Sequence, residues 1–503
     1  MDLTPLHGQL DRKSGYPLHI QLYRRLREAI LDGRLQPGAR LPASRALQEQ
    51  LGVARNTVLN AYTQLFAEGY IEGRQGSGTY VTQVLPDDLM SPERRRPSPG
   101  NGSGLVPEAP RLLSRRGQLL AHSPTMPSVE WRRPRPFYPG VPAYDRFPMQ
   151  IWRRLWNQCL TDPAPDLLGY RTPRGYRDLR AAIAGHLNAV RGVDCDPDRV
   201  IVVSGSQQAI DLAVRALLDP DDEVWIENPC YPGARSALLG AGAKVVPVEV
   251  DDAGMDVGLG LRLSPHARMA YVTPSHQYPL GSTMSVARRV QLLHWAAENE
   301  SWIVEDDYDS EFRYSGRLFP ALQGLDTVGR VIYIGTYSKV LFPAIRLGYI
   351  VVPADLVDGY LAARAILDRH PATLDQAVLA GFIAEGHLPR HIRRMRTLYS
   401  ARQAALIDAV SRHCGDLISV APDDTGMHLT GWLAPGLRDI EVAARCAEYG
   451  ISTPPVSPYY HEGRAPREGL LLGYTGFDTD ALKAGVTALA QALRASAADA
   501  GLR

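Results

Sequence analysis

The stretch Arg330-Val331-Ile332-Tyr333-Ile334-Gly335-Thr336-Tyr337-Ser338-Lys339 decides how the larger part of this chain folds. Its first half is a continuous apolar run, which is typical of a strand buried on both faces. A lysine follows the carboxyl end of that strand, where α/β sheets bind their ligands. Because the other lysines are only Lys13, Lys244 and Lys483, Lys339 is one of few candidates for an amine nucleophile.

Short apolar runs alternate with helical patterns on both sides of this stretch. The alternation predicts an α/β subdomain with a mostly parallel sheet, from about residue 165 to 372, and an α+β subdomain from about 373 to 503. The other predicted strands are Val200–Ser204, Glu223–Glu227, Lys244–Glu249, Arg268–Thr273, Trp302–Asp306 and Arg346–Val352.

An acidic cluster ends one of these predicted strands. Asp306 and Tyr308 stand two residues apart, so an extended backbone points both side chains to one face and Glu305 and Asp307 to the other. Asp306 can pair with a protonated pyridine nitrogen, and Tyr308 can reach a phenolic oxygen. In isolation such a cluster is more often a metal site or a solvated turn.

A second motif has the features of a phosphate cradle. Ser204-Gly205-Ser206-Gln207-Gln208 joins a strand directly to a helix, whose free N–H groups attract an anion. Thr336 and Arg346 can add a hydroxyl and a guanidinium, and Tyr231 a stacking ring, although an aromatic near prolines usually serves packing. These residues predict a Schiff-base cofactor site, with the cofactor attached to Lys339, that consists of Gly205, Ser206, Gln207, Tyr231, Asp306, Tyr308, Thr336, Lys339 and Arg346.

The first eighty residues show a different pattern. Apolar residues at helical spacing over Leu18–Ile30 predict a first helix. A short helix capped by Ser44 and another from about Arg55 to Glu68 have helix-turn-helix spacing. Two β-prone runs around a glycine-rich turn, over Tyr70–Val81, follow as a wing.

The last of these helices has the composition of a recognition helix. Val58, Ala61, Leu65 and Phe66 can pack inward, which leaves polar residues at its start for a major groove. A helix-turn-helix pattern alone also fits any small three-helix domain. The candidate contacts to bases, phosphates and the minor groove are Arg40, Arg45, Arg55, Asn56, Thr57, Gln75 and Gly76.

Between residues 83 and 133 the composition changes to proline, serine, glycine and arginine, which predicts a flexible linker. The run Arg94-Arg95-Arg96 is typical of a solvated tether; the alternative is an arm that touches DNA phosphates. The domains predicted around it are 1–82 and 134–503.

Composition restricts the location and partners of the chain. It has no uninterrupted apolar run of membrane-helix length and no signal-peptide pattern, so we predict a cytoplasmic protein with no membrane partner. The five cysteines lack metal-ligand spacing, which predicts reduced thiols and no metal site. A net charge of +1 gives no indication of nucleic-acid binding by itself.

The segment from Leu18 to Val81 resembles the GntR family of bacterial winged-helix regulators. The resemblance implies DNA contacts at Arg45, Ala54, Arg55, Asn56, Thr57, Gln75 and Gly76, although Ala54 replaces the more usual hydroxyl residue. It is carried by Pro17–Tyr23, Gly38–Arg45, Val53–Val58 and Gly69–Ile71.

From about Phe137 to its end the chain is similar to the fold-type I aminotransferases. The resemblance implies an α/β fold around pyridoxal 5'-phosphate (PLP) held by Lys339, and a homodimer in which Tyr170 reaches the phosphate site of the other subunit. It is carried by Gly169–Arg180, Ser204–Gln208, Glu305–Asp309 and Ser338–Lys339 with Arg346.

The order of modules resembles the MocR/GabR branch of the GntR regulators. That resemblance implies a transcriptional regulator that binds double-stranded operator DNA as a head-to-tail dimer. It also implies that the regulator senses PLP, or an amino compound that reacts with the Schiff base on Lys339.

Two positions depart from the aminotransferase pattern on the side of the site where a substrate would lie. Tyr278 stands where those enzymes usually have an asparagine, and His276 or Gln277 can replace it; the alternative is a packed loop histidine. The late strand that usually carries the carboxylate-binding arginine has leucines instead. Arg467 or Arg464 can reach in from the preceding loop, or both are surface arginines.

One further position bears on the effector. GabR-like members have an arginine two residues after the stacking tyrosine, where Gly233 stands in this chain, so a GABA effector is not supported. The first hypothesis is a PLP-binding regulator with at most residual aminotransferase activity. The alternatives are a working aminotransferase with a DNA-binding appendage, and a DNA-binding protein whose large domain is only a dimerisation scaffold.

Overall fold

The computed structural model describes residues 10–12, 14–74, 77–87, 113–122, 135–161, 165–316, 319–463 and 465–502. The chain divides into two compact units between Arg111 and Leu112. The predicted Arg94–Arg96 run lies outside the described residues, as do Gln75, Gly76 and Arg464.

The first unit is a helical domain with a three-stranded antiparallel sheet, in which strand β3 lies between strands β1 and β2. The wing predicted over Tyr70–Val81 is the β2–β3 hairpin. Ser44 is the first residue of its helix, and its side chain makes no capping bond, so that prediction was wrong. The elements in chain order are α1 Leu18–Leu31, β1 Arg40–Leu41, α2 Ser44–Leu51, α3 Arg55–Ala67, β2 Ile71–Arg74 and β3 Gly78–Val81.

The core of this unit forms where the three helices meet the hairpin. Val58, Ala61 and Leu65 are buried as predicted, but Phe66 is 56% exposed, because Tyr62 fills the inward position instead. The domain also extends past the predicted boundary at residue 82. Asp87 forms an ion pair with Arg27 at 3.0 Å.

Part of the predicted flexible linker is helical. Helix α4 (Arg115–His122) belongs to the second unit and lies against the later helix that contains Gly240. A side chain at residue 240 would be 2.6 Å from Leu120, so a glycine is what allows the close approach. The prediction of an unstructured linker from 83 to 133 was wrong for this segment.

The second unit is built on an eight-stranded sheet whose strand order is β4-β11-β10-β9-β8-β5-β6-β7. Strands β6, β5, β8, β9 and β10 run parallel, whereas β11 and β7 are antiparallel to their neighbours. The pattern identified all of them except the two-residue β7. The strands are β4 Val200–Val203, β5 Glu223–Asn228, β6 Lys244–Asp251, β7 Gly254–Met255, β8 Met269–Val272, β9 Trp302–Asp307, β10 Val331–Thr336 and β11 Gly348–Val351.

Helices pack around this sheet, as the alternation of patterns predicts. Val378 and Phe382 pack with strand residues of the sheet, so the helix that contains them belongs to this subdomain, beyond the boundary predicted at residue 373. The helices are α5 Met149–Thr161, α6 Pro165–Leu168, α7 Arg177–Arg191, α8 Ser206–Leu217, α9 Pro232–Ala241, α10 Val257–Leu263, α11 Val286–Glu298, α12 Val357–Asp368 and α13 Leu374–Ala384.

A second core lies in the C-terminal part of the unit. This core includes a second, three-stranded antiparallel sheet. The 28-residue helix α14 joins the two cores: Leu388 and Ile392 pack with the eight-stranded sheet, whereas Met395 and Tyr399 pack with the three-stranded one. No helix in the described part of the chain is long and apolar enough to cross a membrane. The elements are α14 His387–Cys414, β12 Ile418–Val420, β13 His428–Leu433, α15 Asp439–Glu448, β14 Gly469–Gly473 and α16 Thr479–Asp499.

Candidate functional site

A cavity of about 200 Å³ lies at the carboxyl ends of the parallel strands β9 and β10. The loop after β4 and the start of α8 lie at the same edge of the sheet. Strand β11 lies between β4 and β10 and is antiparallel to both, so β4 and β10 point in the same direction. Most of the residues that the sequence predicts for the cofactor meet here. The predicted residues that line the cavity are Ser206, Gln207, Tyr231, Asp306, Tyr308, Thr336, Lys339 and Arg346.

Lys339 lies in the wall of this cavity, three residues after β10 ends. Its Nζ donates a hydrogen bond to the carbonyl oxygen of Gly140 at 3.2 Å. Burial lowers the pKa of Lys339, although Asp309 and Asp306 oppose the shift. Gly140 has a φ of 70°, and a Cβ there would lie 2.5 Å from Nζ. The glycine therefore makes room for an amine that is held closer to its neutral, nucleophilic form than a surface lysine.

Asp306 lies across the cavity with one oxygen satisfied and one open. Oδ2 accepts a hydrogen bond from the hydroxyl of Tyr271 at 2.6 Å, whereas Oδ1 is buried without a hydrogen-bond partner. Burial raises the pKa of Asp306 to about 7, against the hydrogen bond from Tyr271. A buried carboxyl oxygen that lacks a donor fits a ligand with a cationic N–H, such as a pyridinium nitrogen.

The predicted phosphate cradle has the geometry of an anion site. Gly205 precedes α8 with a φ of 93°, and the first N–H groups of a helix have no acceptor within it. The guanidinium of Arg346 donates to the carbonyl oxygen of Ser204 at 2.6 Å. A Cβ at residue 205 would lie 3.3 Å from Arg346, so the glycine lets this cation approach the helix start.

His276 is a packed loop histidine, the second of the two alternatives that the sequence left open, and does not join the predicted cofactor residues in the cavity wall. It is fully buried behind Tyr308 and does not line the cavity. Its Nδ1 lies 2.8 Å from the hydroxyl of Tyr308 and 2.9 Å from Asp309, and its Nε2 lies 3.6 Å from Asp423. Burial lowers the pKa of His276, but the two carboxylates outweigh burial and raise it to about 10. The histidine therefore positions Tyr308, and Tyr278 takes the place in the cavity wall.

The rest of the acidic cluster points away from the cavity, as an extended backbone requires. Glu305 accepts hydrogen bonds from the backbone N–H groups of Leu322 and Gln323 at 2.8 and 2.9 Å. Asp307 pairs with the guanidinium of Arg191 at 2.8 Å. No group of three or more acidic, histidine or cysteine side chains in the described ranges is arranged to hold a metal ion.

Besides Gly205 and His276, two more of the predicted site residues do not line the cavity. Tyr170 is 80% exposed, with its ring next to Arg369 and His370, so within one subunit it does not approach Lys339. Arg467 is exposed and stacks on the ring of Trp432 at 5.0 Å, so it does not reach in to hold a carboxylate.

The predicted DNA-binding residues form part of the surface of the first unit. Arg55 and Asn56 begin α3 and are exposed, and Thr57 is half-buried beside them. Arg45 is exposed in the first turn of α2, and Arg40 is exposed on β1. The structure thus leaves the polar start of the second helix of the motif available to a major groove.

Comparison with known proteins identifies both units. Residues 18–81 match the family of bacterial regulatory proteins called gntR, and residues 141–466 match aminotransferase class I and II. The probable rhizopine catabolism regulatory protein MocR of Rhizobium meliloti is 43% identical over 488 residues, which are 97% of this chain and 96% of that relative. The chain belongs to the MocR-type regulators of the GntR family.

A second regulator matches this chain over nearly its whole length. The pyridoxine biosynthesis transcriptional regulator PdxR of Corynebacterium glutamicum is 31% identical over 92% of this chain and 93% of its own. Among solved structures, the Pyrococcus horikoshii kynurenine aminotransferase in complex with PMP is 27% identical, with a TM-score of 0.68 over 76% of this chain and 97% of its own. The MocR-type chain therefore has an aminotransferase fold of type I attached to a DNA-binding domain.

Sequence reasoning missed several residues of the cavity in this MocR-type chain. Tyr271 lies on β8, and its hydroxyl is the partner of Asp306. His428 and Gly140 come from segments far away in sequence and complete the wall. The one indication in the sequence was the predicted strand that contains Tyr271. His428 and Gly140 could not be predicted, because only the folded structure shows which distant segments meet at the cavity.

Proposed function

We propose that this protein is a DNA-binding transcriptional regulator that holds PLP at Lys339 and responds to PLP or to an amino compound that reacts there. The proposal rests on the observation that Lys339 and Asp306, whose buried Oδ1 has no hydrogen-bond partner among the described residues, line the same cavity. The proposal is also supported by the relatives, which are named as transcriptional regulators.

Each end of the cavity suits one part of PLP. Lys339 supplies the amine that its aldehyde requires, and Asp306 supplies the anion that keeps its ring nitrogen protonated. Ser206, Thr336 and Arg346 suit its phosphate, and Tyr231 suits the face of its ring. When bound, PLP supplies an electron sink for reactions at an amine substrate.

The proposed regulator works as a head-to-tail homodimer. Tyr170 is exposed on the surface, and the guanidinium carbon of Arg369 lies 4.1 Å from the centroid of its ring. This exposure suits the role that the aminotransferase resemblance implies, in which Tyr170 reaches the phosphate site of the other subunit.

The proposal is tested by binding of the full-length protein to the DNA upstream of its own gene, at a stated salt concentration. Addition of PLP to the purified protein is expected to give a visible absorbance band. Borohydride is then expected to fix PLP covalently to Lys339. Specific DNA binding is expected to change when the band forms. Protein that shows neither the band nor specific DNA binding would contradict the proposal.

A working aminotransferase remains the second candidate, since Lys339, Asp306 and Tyr308 all lie in the cavity. Steady production of keto acid over many turnovers would identify an enzyme. The proposed regulator is expected to show at most a single half-reaction.

A further inference from the structure

Within one subunit, the described residues that line the cavity supply little positive charge apart from what PLP itself would use. Among the described residues that line it, Lys339 and Arg346 are the cations. Lys339 is the attachment point, and Arg346 lies beside the start of α8, where its guanidinium donates to the Ser204 carbonyl. Neither is therefore left over for a second anionic group.

One part of the cavity wall is aromatic. The ring of Tyr278 lies at its centre, with centroid distances of 6.0 Å to Tyr231, 5.8 Å to Tyr308 and 5.5 Å to His428. Burial lowers the pKa of His428 to about 3, and its Nε2 donates to the carbonyl oxygen of Pro279, so this ring adds no charge. This wall, defined by these four rings, offers apolar faces and hydroxyl groups.

The late strand that would carry a carboxylate-binding arginine contributes apolar packing instead. Leu471 on β14 is fully buried in a cluster with Val456, Tyr459 and Tyr460, and Tyr278 packs against that cluster. The late strand thus contributes a leucine, and not an arginine, to the cluster against which Tyr278 packs.

The nearby arginines are engaged elsewhere. Arg235 donates to the carbonyl oxygens of Tyr460 and Pro458 at 3.2 and 3.4 Å, and Arg467 stacks on Trp432. An arginine at residue 233 is also excluded, because its Cβ would lie 2.5 Å from the ring of Tyr231. No described arginine other than Arg346 reaches the cavity.

Within one subunit, a ligand carboxylate in this cavity would lie near other carboxyl groups and, apart from Lys339 and Arg346, would find no cation among the described lining residues. Asp306 lines the cavity. Glu227 is buried next to the lining residue Thr273, whose hydroxyl donates a hydrogen bond to it at 2.6 Å. Burial of an unpaired carboxylate next to other acidic groups is strongly unfavourable. A neutral apolar or hydroxylated body is not opposed in this way.

We propose that the effector of this protein is a primary amine that carries no carboxylate. The inference rests on the proposed function and names the class of compound that acts at the same site. In the reaction the amine nitrogen forms a bond to the aldehyde carbon of PLP while the bond from Lys339 Nζ to that carbon breaks. Two protons pass from the incoming amine to Nζ, so Lys339 leaves as a free amine and nothing is oxidised or reduced.

Pairs of compounds that differ only in the carboxylate test the proposal. Ethylamine is compared with alanine, and 2-phenylethylamine with phenylalanine, by titration of the PLP-loaded full-length protein. The readouts are the visible absorbance of PLP and the affinity for promoter DNA. Each amine is expected to act at a concentration at least tenfold lower than its amino acid. Equal or stronger action of the amino acids would overturn the proposal.

The same titration distinguishes a failure of the proposed function from a failure of the proposed effector class. Absence of any visible band after PLP addition would contradict the proposed function, and the effector class would fall with it. A band that forms normally but responds to none of the four compounds would overturn the effector class alone.

A variant that restores the aminotransferase pattern sharpens the test. Tyr278→Asn combined with Leu471→Arg opens the aromatic wall and places a cation behind it, with Tyr278→Phe combined with Leu471→Met as the matched control. The first variant is expected to shift the preference toward alanine by at least tenfold, and the control to retain the preference for ethylamine. If the first variant folds, as judged by circular dichroism, and keeps that preference unchanged, the account is wrong. If it does not fold, the wild-type titration decides.

Discussion

The DNA-binding face of the first unit and the cavity of the second differ in how tightly the fold holds their residues. Arg40, Arg45 and Arg55 are exposed. By contrast, Asp306 and Lys339 are enclosed by groups from several elements. Exposed contacts are screened by water and salt, whereas buried ones interact strongly and leave unsatisfied groups when a partner is removed.

We therefore expect substitutions in the cavity to abolish PLP attachment almost completely. Single substitutions on the DNA-binding face are expected to lower DNA affinity by small amounts. The same difference also explains which predictions from sequence needed correction. A surface contact needs only a correct helix, but a cavity requires side chains from distant segments.

The largest expected effect is the loss of Lys339. Lys339→Ala removes the amine that attaches PLP, so the visible band and borohydride fixation are expected to vanish entirely. Lys483→Ala, which removes an exposed lysine on α16, is the matched control and is expected to behave as wild type. Covalent PLP in the Lys339→Ala protein would show that attachment occurs elsewhere.

The next effect is structural and concerns Gly426, which has a φ of 92° and lies against His276. A Cβ there would be 2.2 Å from the imidazole ring, so Gly426→Ala is expected to reduce the free energy of unfolding by about 3 kcal/mol. Gly450→Ala is the control, because Gly450 has a similar φ of 79° and open space around it. Urea denaturation measures both; equal losses would mean that strain, not the collision, determines the cost.

A smaller effect is expected from the recognition helix. Arg55→Ala is expected to weaken binding to the specific operator by about 1–3 kcal/mol and to leave binding to unrelated DNA of the same length almost unchanged. Fluorescence anisotropy with both duplexes measures the difference. Equal weakening on both would assign Arg55 to phosphates rather than bases.

The smallest effect belongs to Arg45. Arg45→Ala is expected to weaken binding to all sequences alike and to reduce the slope of log affinity against log salt by about 1. Arg34, which pairs with Asp32 at 2.7 Å in the same unit, provides the control in Arg34→Ala. An unchanged slope for Arg45→Ala would place that residue away from DNA.

The fold was largely predictable because its elements repeat at regular intervals. Seven strands of the large sheet follow from apolar runs such as Val331–Ile334, since strands buried on both faces need no alternation. Helix α4 was missed because Arg115–His122 has the composition of a linker, and its packing on Gly240 depends on a partner distant in sequence. Phe66 was misplaced because periodicity does not distinguish two adjacent apolar residues at the edge of a helical face.

The candidate site was predictable where a single short motif contains both a strand and the functional residue that follows it. Lys339 and Asp306 each end a strand, and parallel strands end at the same edge, so their meeting follows from the pattern. The place of His276 did not follow, because its partners Asp309 and Asp423 come from different subdomains. The roles assigned to these residues toward PLP and DNA remain predictions.

The same histidine gives a pH dependence with a defined sign. The folded-state pKa of His276 is about 10, above its ordinary value of 6.5, so its contribution to stability is complete below pH 6.5 and is lost as the pH rises toward 10. His276→Gln is therefore expected to reduce the free energy of unfolding more near pH 6.5 than near pH 10. An equal reduction at both values would show that His276 is neutral in the folded protein.

Control of DNA binding by the cavity around Lys339 can be measured as the affinity of the full-length protein for its promoter DNA, titrated with PLP at one salt concentration, in wild type and Lys339→Ala. We expect PLP to change the DNA affinity of wild type and to leave that of Lys339→Ala unchanged. An identical response of the two proteins, with the visible band present only in wild type, would contradict the claim that the cavity around Lys339 controls DNA binding.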